Sequence, residues 1–236
     1  VLWFALLGTC WLCNHLLRTP REQHGLYLFA GTCTNTSFLG IPIALAILGQ
    51  RSAVGASIFD MVTTVFNFTI GFAILSASGK DGQKKSPLDI LKAPVVYACL
   101  IAIAMFFTGW QLPAGAQSVL ASIGEITSPL AMLVVGALVA QADLKSVFTE
   151  WRAYPFAIIR QLVMAVVLFL LVRAISPEPI LADLFAIMFA LPTGAIVPTF
   201  ADMCGADSEL GARNTVVSTL LSFVLIPTVV AIVGTL

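Results

Sequence analysis

Long apolar stretches separated by short polar connectors run from one end of this chain to the other. A helix that crosses the hydrocarbon core of a bilayer needs about 20 apolar residues, with a range of about 17–25. Eight stretches meet this requirement, and they predict spans A (1–17), B (25–49), C (54–78), D (88–110), E (116–140), F (154–175), G (181–204) and H (211–235). The pattern therefore predicts an all-α polytopic membrane protein.

Basic residues separate the two sides of the predicted membrane domain. Connectors A–B, C–D, E–F and G–H must share one side, and they carry Arg18, Arg21, Lys80, Lys84, Lys85, Lys92, Lys145, Arg152 and Arg213. Only Arg51 and Arg173 fall on the other side, while Arg160 lies inside span F. Because cytoplasmic loops are enriched in Lys and Arg, the first side is predicted to be cytoplasmic. Both ends of the chain then face outward.

Composition supports this interpretation and excludes several classes of function. Hydrophobic residues make up 59% of the 236 residues and charged ones 10%, against about 25% charged in soluble domains; the mean hydropathy is +0.99. A net charge of zero predicts no nucleic-acid partner. The CxxC formed by Cys10 and Cys13 has no second pair, so no metal or cofactor is predicted. No P-loop and no nucleophile–base pair is recognisable, so neither direct ATP drive nor a catalytic site is expected.

An internal repeat organises the spans. Shifting the chain by 156 residues places spans A, B and C on F, G and H, and Pro42 on Pro198. B and G are five spans apart, so they cross the membrane in opposite directions, an inverted arrangement typical of secondary transporters. We predict a first repeat over 1–78 (the last three of five helices), a cytoplasmic linker over 79–87 and a second five-helix repeat over 88–236.

The two matching spans B and G are predicted to be broken helices. Span B contains NTSFLGIP (35–42) and span G contains LPTGAIVP (191–198). Proline removes a backbone hydrogen bond from a helix interior, and interrupted helices in corresponding halves indicate a substrate site. Prolines and glycines also merely kink membrane helices, but their repeat-equivalent placement favours a site. The predicted substrate-binding residues are Asn35, Thr36, Ser37, Gly40, Pro42, Asp60, Thr193, Gly194 and Pro198.

Other polar residues inside the spans have two interpretations each. Asp60 belongs either to a functional site or to the outer interface, and it shares a helical face with Asn67, seven residues on. Arg160 lies about two turns from the cytoplasmic end of span F, so its side chain is expected to snorkel to that interface. Alternatively, it balances Asp60 or the carboxylate of a substrate.

The segment NTSFLGIP and the longer stretch LPTGAIVPTFADMCGADSELGARNTVVSTLLS across G and H resemble the auxin efflux carrier family. That family includes the plant PIN exporters and bacterial permeases for malonate or other carboxylates. The resemblance implies ten spans, of which eight are seen here, in two five-helix inverted repeats whose broken helices cross. It also implies that Asn35 contacts the substrate beside this crossing. The short C–D connector lacks the large cytosolic loop of the plant members, so auxin itself is not indicated.

Together these features predict an integral protein of a bacterial plasma membrane. It would act as a secondary transporter for a small mono- or dicarboxylate, with H⁺ or Na⁺ as coupling ion. A homodimer is one possible assembly. Two alternatives remain: a sodium-coupled symporter of the bile-acid type, and a non-transporting membrane sensor or scaffold. Sodium-dependent uptake into proteoliposomes would distinguish the first alternative from the leading hypothesis.

The repeat arithmetic gives one prediction about the gene. The first repeat contains two spans fewer than the second, so we expect roughly 60–75 further residues before Val1, from two spans of about 20–25 residues plus connectors. The DNA upstream of the codon for Val1 should therefore continue the reading frame. A start codon directly before Val1 would contradict the repeat assignment.

Overall fold

The computed structural model describes residues 2–79, 94–141 and 150–235, and it confirms the predicted all-helical class within these ranges. The helices are α1 Leu2–Leu16, α2 His24–Thr32, α3 Thr36–Leu48, α4 Gln50–Ala77, α5 Pro94–Thr108, α6 Ala114–Gln141, α7 Ala153–Ile175, α8 Pro179–Ala190, α9 Val197–Met203 and α10 Ser208–Thr235. The predicted linker 79–87, except for Gly79, lies outside the described residues, as do Lys80, Lys84, Lys85, Lys92 and Lys145.

Three helices in the described part of the chain are both long enough and apolar enough to cross a membrane. These are α4, α7 and α10, judged by length and apolar composition. Helices α3 and α8 are apolar but shorter, because the structure divides span B into α2 and α3 and span G into α8 and α9. The number of spans and the inverted-repeat layout therefore stay predictions. Large apolar side chains such as Leu133 and Phe223 are exposed, which suits contact with lipid rather than water.

The interior is built where helices from the two ends of the chain meet. Helix α8 packs against α3, α7 and α10, while α2 packs against α1 and α4. The Phe200 ring of the short helix α9 stacks on Phe29 of α2 at 5.6 Å. It also meets Phe68 and Phe72 of α4 edge-on, at 5.0 and 5.8 Å. Because aromatic pairs add about 0.5–1.5 kcal/mol beyond area burial, this cluster fixes a helix too short to hold itself in place.

The helix interruptions lie before the two prolines rather than at them. Helix α2 ends at Thr32 and α3 begins at Thr36, so the interruption 33–35 ends seven residues before Pro42, the proline of the predicted break. A π-helical turn, Thr36–Gly40, directly precedes Pro42. Its wider backbone accommodates the ring, which would otherwise clash with the carbonyl four residues back. Likewise Pro198 is the second residue of α9, a position where proline is tolerated, and the unwound segment is 191–196.

The two interruptions hydrogen-bond to each other. The Asn35 N–H donates to the Pro192 carbonyl at 2.9 Å, and the Gly194 N–H donates to the Cys33 carbonyl at 2.7 Å. Thr34 and Thr193 form an antiparallel bridge between these bonds. Backbone groups that are shielded from water must find partners inside the protein. Each unwound segment therefore supplies the donors and acceptors that the other one lacks.

This contact makes Gly194 the tightest point of the pairing. A Cβ atom at position 194 would lie 2.9 Å from Cys33 Sγ and 3.4 Å from the Cys33 carbonyl oxygen. Because overpacking costs about 1–3 kcal/mol, we expect Gly194→Ala to lower the midpoint of thermal unfolding of the detergent-purified protein. Gly124→Ala on α6 is the control, since nothing lies within 4 Å of its added Cβ. Equal midpoints for the two variants would contradict the close approach.

Candidate functional site

A cavity of about 240 Å³ opens beside the paired interruptions. Its walls come from the segment before α3, the first turn of α3, the middle of α4 and the segment around the start of α9. The lining residues are Cys33, Thr34, Asn35, Thr36, Ser37, Phe38, Thr63, Thr64, Asn67, Phe68, Gly194, Ala195, Ile196 and Phe200. None of these described residues carries a charge. Pockets for drug-sized ligands measure about 300–1,000 Å³, so this cavity suits a smaller molecule with several hydrogen-bonding groups.

Asn35 joins the pairing of the interruptions to the cavity. Its backbone is fully used: the N–H bonds Pro192, and its carbonyl accepts from Leu39 and Gly40 at 3.3 and 3.1 Å. The residue is only 4% exposed and lines the cavity. With the backbone committed, the side-chain amide is the part of Asn35 that remains to bind a ligand.

Asp60 contacts the same turn of α3 from the neighbouring helix α4. Its Oδ1 accepts hydrogen bonds from Thr36 Oγ1 at 2.5 Å and from Ser37 Oγ at 2.7 Å. Asp60 itself lines a second, mostly apolar cavity of about 870 Å³ between α4 and α5, and Ser37 and Thr64 line both cavities. The carboxylate is thus held beside the first cavity through the two hydroxyl groups.

Thr193 supports the second interruption instead of lining the cavity. Its N–H donates to Ser218 Oγ on α10 at 3.0 Å, and its own hydroxyl donates to the Ala30 carbonyl at 3.2 Å. Ser218 is tied in turn to α7, because Gln161 Nε2 donates to its carbonyl at 3.1 Å. These bonds fix the unwound segment from three helices, and the adjacent Gly194 reaches the cavity wall.

The remaining predicted residues shape the breaks without lining the cavity. A Cβ at Gly40 would come within 2.6 Å of Leu191 Cδ1, so glycine there permits close approach of α3 to the second interruption. Pro198 is a close neighbour of Gly211 on α10, whose added Cβ would lie 3.3 Å from it. Of the nine predicted residues, Asn35, Thr36, Ser37 and Gly194 line the cavity.

Sequence reasoning did not include Asn67 in the predicted site. It is 6% exposed and lines the cavity from α4. Its Oδ1 has no hydrogen-bond partner within the described part of the chain. The signal was present in the spacing, because Asp60 and Asn67 lie seven residues apart and so share one helical face. The π-helical turn Asn67–Gly71 that begins at this residue is not recognisable from the sequence.

The expectation that Arg160 snorkels to the cytoplasmic interface is wrong. The residue is 2% exposed, and its Nη2 donates to the Leu191 carbonyl at the end of α8. It lies in a π-helical turn of α7, Ile159–Val163, and α7 packs directly against α8. The side chain therefore faces the second interruption instead of the membrane surface.

Metal ligands are not assembled in the part of the chain that the structure describes. No group of three or more His, Cys, Asp or Glu side chains there could hold an ion. Cys10, Cys13 and Cys33 are buried free thiols, and Cys204 is buried as well. The site that the described residues form is thus one of amides, hydroxyl groups and a single neighbouring carboxylate.

Comparison with known proteins shows similarity to membrane transporters along nearly the whole chain. A family described as "Membrane transport protein" matches residues 1–230. A Rhizobium meliloti protein named "Putative malonate transporter" is 24% identical over 227 residues, which cover 93% of this chain and 69% of that protein. The "Uncharacterized transporter MJ1031" of Methanocaldococcus jannaschii is 22% identical over 216 residues, covering 90% and 70%. The "Uncharacterized transporter YfdV" of Escherichia coli K12 is 30% identical over 130 residues, covering 52% and 41%.

Proposed function

Because this chain belongs to the membrane transport protein family, we propose that it carries a small organic anion across the bilayer as a secondary transporter, by alternating access. The observation that carries this proposal is the uncharged cavity, lined by several amide and hydroxyl groups, at the paired helix interruptions. Irregular backbone at membrane depth is tolerated where it lines a cavity, and transporters bind their substrates at such breaks. The name of the Rhizobium relative makes malonate a suitable first probe.

The start of α3 supplies part of the attraction for an anion. Thr36, Ser37 and Phe38 are its first residues, and all three line the cavity. A helix N-terminus carries a partial positive charge and so favours carboxylates. The Thr36 N–H already donates to the Thr34 carbonyl, so the N–H groups of Ser37 and Phe38 would be the ones to face the anion. The amide of Asn35 would donate a further hydrogen bond from directly before this turn. A carboxylate held by such neutral groups is released again more easily than one held by a direct ion pair, as a carrier requires.

Asp60 would couple the binding of the anion to that of a cation. An ionised carboxylate bonded to Thr36 and Ser37 repels an anion in the adjacent cavity. A proton or a Na⁺ ion at Asp60 removes this repulsion, so anion and cation would bind together. The carboxylate thereby gives the site a means of responding to a second ion.

Removing the Asn35 amide tests the anion site. A hydrogen bond to a charged group contributes about 1.5–3 kcal/mol, so Asn35→Ala should bind malonate roughly 10- to 100-fold more weakly than the parent. Binding can be followed by the ligand-induced shift of the thermal midpoint, or by uptake of labelled malonate into proteoliposomes.

Asn14→Ala is a matched control for this variant. Asn14 is also buried, at 1% exposure, and its side chain bonds the His24 carbonyl and Thr19 Oγ1 outside the cavity. We expect this control to lose stability but to keep its affinity for malonate. Parent-like malonate binding by Asn35→Ala would remove Asn35 from the site.

Replacing Asp60 by Asn tests the opposing charge on which this coupling depends. The amide oxygen still accepts from Thr36 and Ser37, but the charge is gone, so malonate affinity should rise on the order of tenfold, whereas affinity for the uncharged malonamide should not change. Malonate affinity that does not rise in Asp60→Asn would contradict an opposing charge at this position.

The contact of the Asp60 carboxylate with the hydroxyl groups of Thr36 and Ser37 also favours a second candidate, the sodium-coupled symporter. A carboxylate with two hydroxyl groups beside an unwound helix offers oxygen ligands of the kind that cations need. Uptake that requires Na⁺ in the parent, and that is abolished in Asp60→Asn, would support this candidate. Uptake that is independent of Na⁺ would exclude it in favour of proton coupling.

A further inference from the structure

Arg160 places a positive charge in the interior, next to the second interruption. The side chain is almost completely buried, and Nη2 donates to the carbonyl of Leu191. Leu191 follows the last residue of α8 and opens the unwound segment 191–196. The guanidinium is therefore attached to the same stretch of backbone that forms one wall of the cavity.

This charge lacks a counter-ion among the described residues. Its Nε and Nη1 atoms are buried and have no hydrogen-bond partner within residues 2–79, 94–141 and 150–235. A buried, uncompensated charge is costly, and inside a membrane protein it is retained where function uses it.

The connection from Arg160 to the cavity runs along the second unwound segment. Gly194, three residues after Leu191, lines the cavity wall. The Gly194 N–H and the Cys33 carbonyl form one of the two bonds that pair the interruptions. The guanidinium thus bonds the start of this segment, and residues from Gly194 onward in the same segment line the cavity.

A purely structural role does not account for a charged residue here. Holding the Leu191 carbonyl needs one N–H donor, and a neutral amide supplies that at a lower desolvation cost. The neighbouring Gln161 demonstrates this on the same turn, because its amide bonds the Ser218 carbonyl. What Arg160 adds beyond a hydrogen bond is its positive charge.

We propose that Arg160 is the specificity-determining cation of the site, whose charge, held at the start of the second unwound segment, selects anions for the cavity. The inference rests on the proposed function and defines its substrate class by charge. Because Arg160 acts through space and does not line the cavity, its contribution must scale with the charge of the ligand. Neutral hydrogen bonding by Asn35 does not scale in that way.

Three ligands with one carbon skeleton test this scaling in the parent protein: malonate (two charges), malonamate (one) and malonamide (none). A unit charge at roughly 10 Å in an effective dielectric of about 20 changes binding on the order of tenfold per ligand charge. We expect affinity to fall in the order malonate, malonamate, malonamide. Added NaCl should weaken this gradient little, since buried charges are poorly screened. Equal affinity for malonate and malonamide would overturn the proposal.

Substitutions at position 160 then test whether this gradient, the dependence of affinity on ligand charge, comes from Arg160. Arg160→Gln keeps an amide donor but removes the charge, so we expect losses of about 100-fold for malonate, about tenfold for malonamate and none for malonamide. Arg160→Lys keeps the charge and should keep the gradient. Arg173→Gln is the matched control, because Arg173 is an exposed arginine on the same helix α7.

The outcomes separate this inference from the proposed function. An equal loss for all three ligands in Arg160→Gln, or an unchanged gradient, would overturn the role of the charge while leaving a carboxylate carrier intact. If Arg160→Gln does not fold, the parent series and Arg160→Lys decide the question, and loss of the gradient in folded Arg160→Lys would count against it. A parent that binds none of the three ligands at millimolar concentration would overturn the proposed function and this inference together.

Discussion

Two backbone hydrogen bonds, from Asn35 to Pro192 and from Gly194 to Cys33, are the contact on which the rest of the site depends. Each is made by a group that would have had a partner in a continuous helix. In water, such groups could remain solvated, but in a membrane interior they must pair with protein. The two interruptions are therefore mutually required. Unwinding one without the other would leave donors and acceptors buried and unsatisfied, at about 1–3 kcal/mol for each group.

The elements around this contact hold it from both sides. Aromatic packing of Phe29, Phe68 and Phe72 on Phe200 fixes the short helix that follows the second interruption. On the opposite side, consecutive residues of one π-helical turn, Arg160 and Gln161, reach α8 and α10. Because these two neighbouring residues lie in a π-helical turn, both side chains point inward to different helices. The walls of the cavity are thus held by side-chain contacts where the backbone is not helical.

In the proposed carrier, the uncharged groups that line the cavity and the buried charge of Arg160 contribute to recognition in different ways. Amides and hydroxyl groups in the cavity can match the shape and hydrogen bonds of a small carboxylate without holding it too tightly. In this proposal Arg160 would supply a long-range preference for anions, and the Asp60 carboxylate beside the cavity would oppose it. Binding then depends on a balance of opposed fields that one proton or one Na⁺ ion can change. Such a balance suits a protein that must alternately bind and release its cargo.

The sequence by itself determined the helical class, the apolar character and which two spans are interrupted. The first two follow from composition and span length, and the third from clustered Pro, Gly, Ser, Thr and Asn, which are local backbone effects. It located the second interruption within 191–198 but set the first one near Pro42, after the observed gap 33–35. It also indicated Asn35, Thr36, Ser37 and Gly194 as neighbours of one site, because the repeat relates their segments. Only the tertiary structure decided which groups those segments bond, that Asp60 contacts Thr36 and Ser37, and that Arg160 faces inward. These features depend on the rotation of each helix about its axis, and that rotation is set by π-helical turns and by packing against distant helices. Residues far apart in the chain fix it together, so no local pattern carries the information.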